Sequence, residues 1–400
     1  MPESYLDHAA TTRLRPVALA ALTEALTERW GNPSGAHGPA RHARRALDDA
    51  RDLVAAAVGA EPGEVVFTSG GTEADNLAVR GVHAAVGGTV AAGATEHHAV
   101  LEPVAALDGA TVAVDPLGRL DLDALDATLR EAAAAGRPVR LLSVMAANNE
   151  TGARNDLHAV ADRLAAAASS AEPGPSTGGG AAAAGRVVLH TDAVAAAAWL
   201  DLRHAAAPAD LVTLSGHKVG GPKGIGALVV RRGTPLRPLL LGGGQEQERR
   251  SGTPDVAGAV AFAAALDEAV REREATVARV EALRGRLVAG LAAIDGVEVL
   301  SPADPSARTA GTVLAGVRGV DREALVFLLD RAGIAASWGS SCASGASEPS
   351  HVLAAMGVEP ELARGALRLS LGWCSTEADV AHLLDVLPGA VADLRGGAAP

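Results

Sequence analysis

The chain has 400 residues, 48% of them hydrophobic, which is enough to bury one large core and a smaller second one. Its formal net charge of -12 disfavours a general affinity for nucleic-acid backbones or for anionic membranes. The polar N-terminus lacks a signal-peptide pattern, no apolar run is long enough to span a bilayer, and the two cysteines stand in different contexts. We therefore expect a cytoplasmic protein without disulfides.

Short apolar strands alternate with helical patterns from about Pro16 to Pro254. The predicted strands are GEVVFTSGG, GTVAAGA, ATVAVDP, VRLLSVMA, RVVLHTDA, LVTLSGHK and GALVVRR. This alternation predicts an α/β fold with a mostly parallel, doubly wound sheet.

A long helical pattern follows from Val256 to about Ile294 and leads into a smaller C-terminal unit. That unit combines strands at VEVLS, GTVLAGV and ALRLSLG with helices at REALVFLLDRAG and ADVAHLLDVLPGAVADL, which predicts an α+β domain. We place the large domain at 14–258 and the small domain at 1–13 and 259–400. Residues 165–185 combine Pro, Gly, Ser and Ala without periodicity, which is typical of a flexible surface insertion.

Several predicted strands are followed directly by residues with charged or hydrogen-bonding side chains. In open α/β sheets, ligands bind at the carboxyl ends of the strands. Lys218 follows LVTLS, where a buried strand end can lower the pKa of an amine that forms a Schiff base. Asp192 ends RVVLHTD and could keep a pyridine nitrogen protonated, although it could equally cap a helix. The TSGGTEADN turn could hold a phosphate at a helix N-terminus.

Two further residues have competing interpretations. His97 could stack on a planar cofactor and exchange protons, although a lone histidine is more often structural. Cys342 lies among small residues, GSSCASGASEPS, as expected for an accessible thiol on a loop at about 336–350. Cys374 has the context of an ordinary packed or helix-capping position.

Ten segments, in order, resemble the cysteine desulfurases of the NifS/IscS type, which are class V aminotransferase-like enzymes. They are LDHAATT, GNPSGAH, FTSGGTEADNLAV, TEHHAV, NNETG, HTDAV, SGHKVGGPKGIGAL, GGGQEQERRSGTPDV, GSSCASGASEPSHVL and LRLSLG. The resemblance implies the fold type I of pyridoxal-phosphate enzymes, with a seven-stranded sheet in the large domain. It also implies that L-cysteine is converted to L-alanine while its sulfur passes to Cys342.

The resemblance also implies a role for each matching residue. Lys218 would carry pyridoxal 5'-phosphate, Cys342 would accept the sulfur, and His97 would stack on the ring. The cofactor would be held by Gly71, Thr72, His97, Asn149, Asp192, Ser215, His217 and Lys218, with Thr253 from the second subunit of a homodimer. The substrate would contact Asn32, Asn149 and Arg368, whose guanidinium matches a carboxylate. No metal site is expected.

Ala195 departs from the family pattern, which places a glutamine three residues after the aspartate to bond the phenolic oxygen of the cofactor. We expect an altered titration of the bound cofactor and slower turnover. Three other functions stay open: a selenocysteine lyase of the same fold, a class V aminotransferase of the same fold, and a non-catalytic regulatory homologue. The sulfur acceptor would be a scaffold protein for iron-sulfur cluster assembly or a tRNA thiolase, with no direct nucleic-acid or membrane partner.

Overall fold

The structure is a computed structural model that describes residues 4–170, 186–339 and 350–397. Its strands are β1 (Ser4–Tyr5), β2 (Val65–Thr68), β3 (Thr89–Gly93), β4 (Ala110–Val112), β5 (Val139–Ser143), β6 (Val188–Asp192), β7 (Leu211–Ser215), β8 (Gly226–Val230), β9 (Val297–Val299), β10 (Thr312–Val317), β11 (Ile334–Ala335) and β12 (Ala366–Ser370). Its α-helices are α1 (Pro16–Glu28), α2 (Gly38–Val58), α3 (Gly71–Val86), α4 (His98–Ala106), α5 (Leu122–Ala134), α6 (Leu157–Ser170), α7 (Leu202–Ala205), α8 (Val256–Ala292), α9 (Arg322–Arg331), α10 (His351–Ala355), α11 (Pro360–Arg364) and α12 (Glu377–Arg395).

The central sheet has seven strands in the order β2-β8-β7-β6-β5-β3-β4, which confirms the predicted α/β fold and its mostly parallel sheet. Strand β8 is antiparallel to both β2 and β7, and the other neighbours are parallel. Strand β8 follows β7 after a connection too short for a helical crossover, so it has to return antiparallel.

Both faces of this sheet are buried, which explains why its strands are almost continuously apolar. Neighbouring residues of one strand point to opposite faces, so Leu142 and Val212 join one core while Leu141 and Leu211 join the other. Helix α8 packs against α1 and α2 on the first face, and α3 and α4 cover the second.

A separate apolar cluster surrounds the antiparallel sheet β9-β10-β12 and includes residues of α9 and α12. Helix α8 enters both cores: Phe262 and Leu266 belong to the large core, whereas Leu283 and Leu287 belong to the small one. The chain start also joins this part, because β1 pairs in parallel with β11. The domain boundaries given above stay a prediction.

The predicted insertion at 165–185 begins too early, because α6 continues to Ser170. Alanine has the highest helix propensity, and the Ala-rich stretch 165–168 extends the preceding helix although it has no clear periodicity. Residues 171–185 lie outside the described residues, as does most of the predicted loop 336–350. Within the described ranges, no helix has the length and apolar character needed to cross a membrane.

Candidate active site

A cavity opens at the carboxyl ends of the parallel strands and extends to the N-terminal segment 6–12. Strand β6 ends in Asp192, and β7 ends in Ser215 before a short 3-10 turn that carries His217 and Lys218. The residues that line the cavity are Ala9, Ala10, Gly71, Thr72, Asp75, His97, His98, Met145, Ala147, Asn149, Glu150, Asp192, Val194, Ala195, Ser215, His217, Lys218, His351 and Arg368.

The Lys218 ammonium is held at the N-terminal segment. Its Nζ donates hydrogen bonds to the carbonyl oxygens of Ala9 and, at 2.9 Å, Ala10. Thr11 Oγ1 lies 3.2 Å from Nδ1 of His217, so the same segment also contacts the neighbouring histidine. The segment therefore forms the wall of the cavity that faces the amine.

Asp192 is buried at the base of the cavity, with only 7% of its surface exposed. Burial raises the pKa of its carboxyl group to about 6, while the amide of Val194 and the charge of Lys218 act in the opposite direction. The Val194 amide donates to Oδ1 at 2.8 Å. A carboxyl group with this pKa is mainly ionised at pH 7, the state in which it can pair with a cationic group.

His97 stands at the N-cap of α4, where its Nδ1 accepts a hydrogen bond from the amide of Ala99 at 3.1 Å. Burial lowers the pKa of His97 to about 4, helped by the positive charge of Lys218 and by the neighbouring histidines. The ring is therefore neutral near pH 7, and because Nδ1 accepts, its proton lies on Nε2. The ring can stack on a planar ligand without adding a charge.

The N-terminus of the 16-residue helix α3 forms one end of the cavity, at Gly71 and Thr72. A Cβ atom on Gly71 would lie 3.0 Å from Cγ2 of Val194, so a side chain here would crowd the floor of this end. Ser215 and His217 line a pocket together with Gly71 and Thr72 at this end. Backbone amides at a helix N-terminus together with hydroxyl groups make a site for a phosphate group.

Ala195 lies between this cavity and a second one lined by Trp199 and Trp373. Lys218 and Asn149 line both. The methyl group of Ala195 cannot donate a hydrogen bond, so position 195 contributes only apolar surface to the site.

Arg368 is almost completely buried, at 1% exposure, and it lines the cavity. Its Nη2 donates to Oδ1 of Asp7 at 2.7 Å, and its Nη1 donates to the carbonyl oxygen of Gly339 at 2.7 Å and to that of Asn149 at 3.4 Å. These contacts fix the plane of the guanidinium.

Cys342 lies outside the described residues, but the described residues on either side of segment 340–349 meet at the cavity. Ser350 Oγ donates to Oε2 of the buried Glu150 at 2.6 Å. A Cβ atom on Gly339 would lie 2.7 Å from the same oxygen, and His351 lines the cavity. The flanks of the segment that carries Cys342 are thus next to Lys218's cavity.

The structure brings eight of the predicted cofactor residues into one cavity, together with Arg368. They are Gly71, Thr72, His97, Asn149, Asp192, Ser215, His217 and Lys218. Asn32 and Thr253 are exposed and are not among the described residues that line it. Their roles, like those of the other site residues, stay predictions.

Sequence reasoning missed four acids in or behind this site: Asp7, Asp75, Glu96 and Glu150. Glu96 is fully buried, and the oxygens of its carboxyl group accept from the amide of Met145 and from the hydroxyl of Ser143. Each of the four lies inside a segment that resembles the desulfurases. An acidic residue in such a segment with no assigned role could have indicated that it belongs to the site.

Comparison with known proteins identifies the family of this chain. The model for "Aminotransferase class-V" matches residues 4–170 and 178–383. The chain belongs to the aminotransferase class-V family.

Relatives within this family resemble the chain along its whole length. An "IscS-like cysteine desulfurase" of Mycobacterium tuberculosis is 44% identical over 405 residues, covering 99% of this chain and 98% of that protein. A "Cysteine desulfurase" of Rhodobacter capsulatus is 40% identical, covering 98% of each. The resemblance to cysteine desulfurases is therefore confirmed.

Solved structures of this class V fold agree with the architecture. A "NifS-like protein" superposes with a TM-score of 0.85 at 31% identity, covering 98% of this chain and 100% of that one. A structure described as "SspA in complex with cysteine" has a TM-score of 0.74 at 26% identity, covering 92% of this chain and 98% of that one.

Proposed function

We propose that the chain is a pyridoxal-phosphate-dependent cysteine desulfurase that transfers sulfur from L-cysteine to Cys342. One observation carries the proposal: Lys218 and Asp192 line the same cavity as Gly71 and Thr72, which begin helix α3 and offer backbone amides suited to a phosphate group. Full-length similarity to proteins named cysteine desulfurases supports the choice of reaction.

The donor groups of the cavity fit pyridoxal 5'-phosphate. Lys218 offers the amine for its aldehyde, Asp192 a carboxylate for its ring nitrogen, and Gly71 and Thr72 the amides and hydroxyl for its phosphate. Bound there, the cofactor would supply an electron sink for the α-carbon of the substrate. Thr253 from a second subunit would complete the phosphate site of a homodimer.

Arg368 is the proposed anchor for the substrate carboxylate, and Lys218 is the proposed base for the α-proton. The sulfur step would break the Cβ–S bond of L-cysteine and form an S–S bond to the Cys342 thiolate. The electron pair of the broken bond stays on Cβ, which takes a proton to give L-alanine. The outer sulfur of the Cys342 persulfide would then pass to an acceptor protein in the cytoplasm, for iron-sulfur cluster assembly or tRNA thiolation.

Incubation of the cofactor-loaded protein with L-cysteine tests the proposal, with L-alanine measured for the parent and for three variants. We expect Lys218→Ala and Cys342→Ala to lose L-alanine formation, and Cys374→Ala to retain it, since the half-buried Cys374 has no role in this chemistry. L-Alanine production by Cys342→Ala at the parent rate would contradict the proposal. Turnover of L-selenocysteine alone would favour a selenocysteine lyase, and dependence on a 2-oxo acid would favour an aminotransferase.

A further inference from the structure

Arg368 lines the cavity and is also paired with the carboxylate of Asp7. Toward the cavity it forms part of the wall with Glu150 and Asn149. Away from the cavity its Nη2 contacts the carboxylate of Asp7 at 2.7 Å, and Asp7 is not one of the described residues that line the cavity. The guanidinium is therefore already paired with a carboxylate before any ligand reaches it.

Asp7 is held firmly in this position by its backbone. Its carbonyl oxygen accepts from the hydroxyl of Tyr5 at 3.1 Å and from the amide of Ala10 at 3.1 Å. The backbone of Asp7 also forms an isolated parallel β-bridge with Ser370, the last residue of β12. Arg368 is on β12 itself, two residues before Ser370. The ion pair thus joins two fixed backbone segments, so Asp7 cannot easily move away when a ligand binds.

The pairing changes the charge that a ligand encounters. The Arg368–Asp7 ion pair has no net charge, and Lys218 is the other Lys or Arg side chain among the described residues that line the cavity. Glu150 also lines the cavity and adds a carboxylate, whereas the carboxylate of Asp192 at the base of the cavity interacts with the charge of Lys218. A ligand with one carboxylate still finds guanidinium hydrogen-bond donors. A second negative charge on the ligand finds no further Arg side chain among the described residues that line the cavity, and it is repelled by the carboxylates of Asp7 and Glu150.

We propose that Asp7 determines the charge selectivity of the site: by pairing with Arg368, it admits amino acids that carry one carboxylate and disfavours those that carry two. Selectivity of this kind arises from repulsion of the wrong ligand as well as attraction of the right one. The inference rests on the proposed function, in which Arg368 binds the substrate carboxylate. Asp7 acts through Arg368 and is a positioning residue, not a catalytic one.

Calorimetric binding of L-alanine and L-aspartate to the cofactor-loaded protein tests the inference at one fixed pH. The two ligands share the α-carboxylate and differ in the second one. For Asp7→Asn, we expect the affinity for L-aspartate relative to L-alanine to rise on the order of tenfold, because a nearby negative charge is removed. Asp7→Glu keeps the charge and should keep the parent ratio, and Asp7→Ala is a second neutral variant if the amide disturbs folding.

Asp162→Asn provides the matched control, since it removes one negative charge at an exposed position of α6. It should leave both affinities unchanged. An unchanged or lower aspartate-to-alanine ratio in the neutral Asp7 variants would overturn the inference while leaving the proposed function intact. Failure of the parent to bind the cofactor would instead overturn the proposed function.

Discussion

Burial raises the pKa of several acids in this protein, and Glu96 is one of them. Burial, followed by the nearby charge of Asp192, raises the pKa of Glu96 from 4.5 to about 8. The unfolded chain ionises this group above pH 4.5, whereas the folded chain keeps the proton until about pH 8. Glu96 therefore lowers the stability of the folded state progressively as the pH rises between these values.

Glu96→Gln should remove this dependence. The amide oxygen can still accept from the Met145 amide and its NH2 group can face Ser143, so the contacts are retained. We expect the free energy of unfolding of the variant relative to the parent to rise from about pH 4.5 to 8, by at most about 1.4 kcal/mol per pH unit. Denaturant unfolding of the apoprotein measures this, with Glu131→Gln as an exposed control. A difference that does not vary with pH would contradict the assignment.

Restoring a hydrogen-bond donor at position 195 should change the properties of the bound cofactor. A glutamine there can reach into the cavity that Lys218 and Asp192 line and donate a hydrogen bond to the bound cofactor, which is worth about 0.5 to 1.5 kcal/mol. We expect Ala195→Gln to shift the pH at which the visible absorbance of the bound cofactor changes, and to raise turnover. Titrations of parent and variant that superimpose would remove this explanation for the substitution.

At the scale of elements, helix α10 depends on a single serine that has two roles. Ser350 caps α10 by accepting from the amides of Val352 and Leu353, and its hydroxyl donates to Glu150. Ser350→Ala should therefore cost about 1 kcal/mol for the cap and a similar amount or more for the bond to the buried carboxylate.

Hydrogen exchange measures this effect locally. Amides of α10 should exchange faster in Ser350→Ala, while Asp321→Ala, which removes the cap of α9, should accelerate exchange in α9 and leave α10 unchanged. Unchanged protection of α10 in Ser350→Ala would contradict the contribution of the Ser350 cap and of its hydrogen bond to Glu150.

The strands and the long helix could be predicted because burial on both faces leaves a direct pattern in the sequence. Seven apolar runs became the seven strands of the central sheet, and the helix predicted to end near Ile294 ends at Ala292. The end of α6 was missed because alanine-rich sequence fits both a helix and a linker. Pairing of β1 with β11 depends on contacts between distant residues, which local patterns do not reveal.

For the molecule as a whole, the site could be predicted in its parts but not in its electrostatics. Strand-end positions indicated Lys218 and Asp192, and the motifs indicated the phosphate end. The acids Asp7 and Glu150 escaped notice because their importance comes from partners that lie far away in sequence, Arg368 and Ser350. Only the folded chain brings these pairs together.

The central claim is that Lys218 and Cys342 act in one reaction, and peptide mass spectrometry after exposure to L-cysteine tests it most directly. The cofactor-loaded parent should gain one sulfur atom on the peptide that contains Cys342, and Lys218→Ala should gain none. An unmodified Cys342 in a parent protein that binds the cofactor and forms L-alanine, or equal modification in the Lys218 variant, would contradict the account.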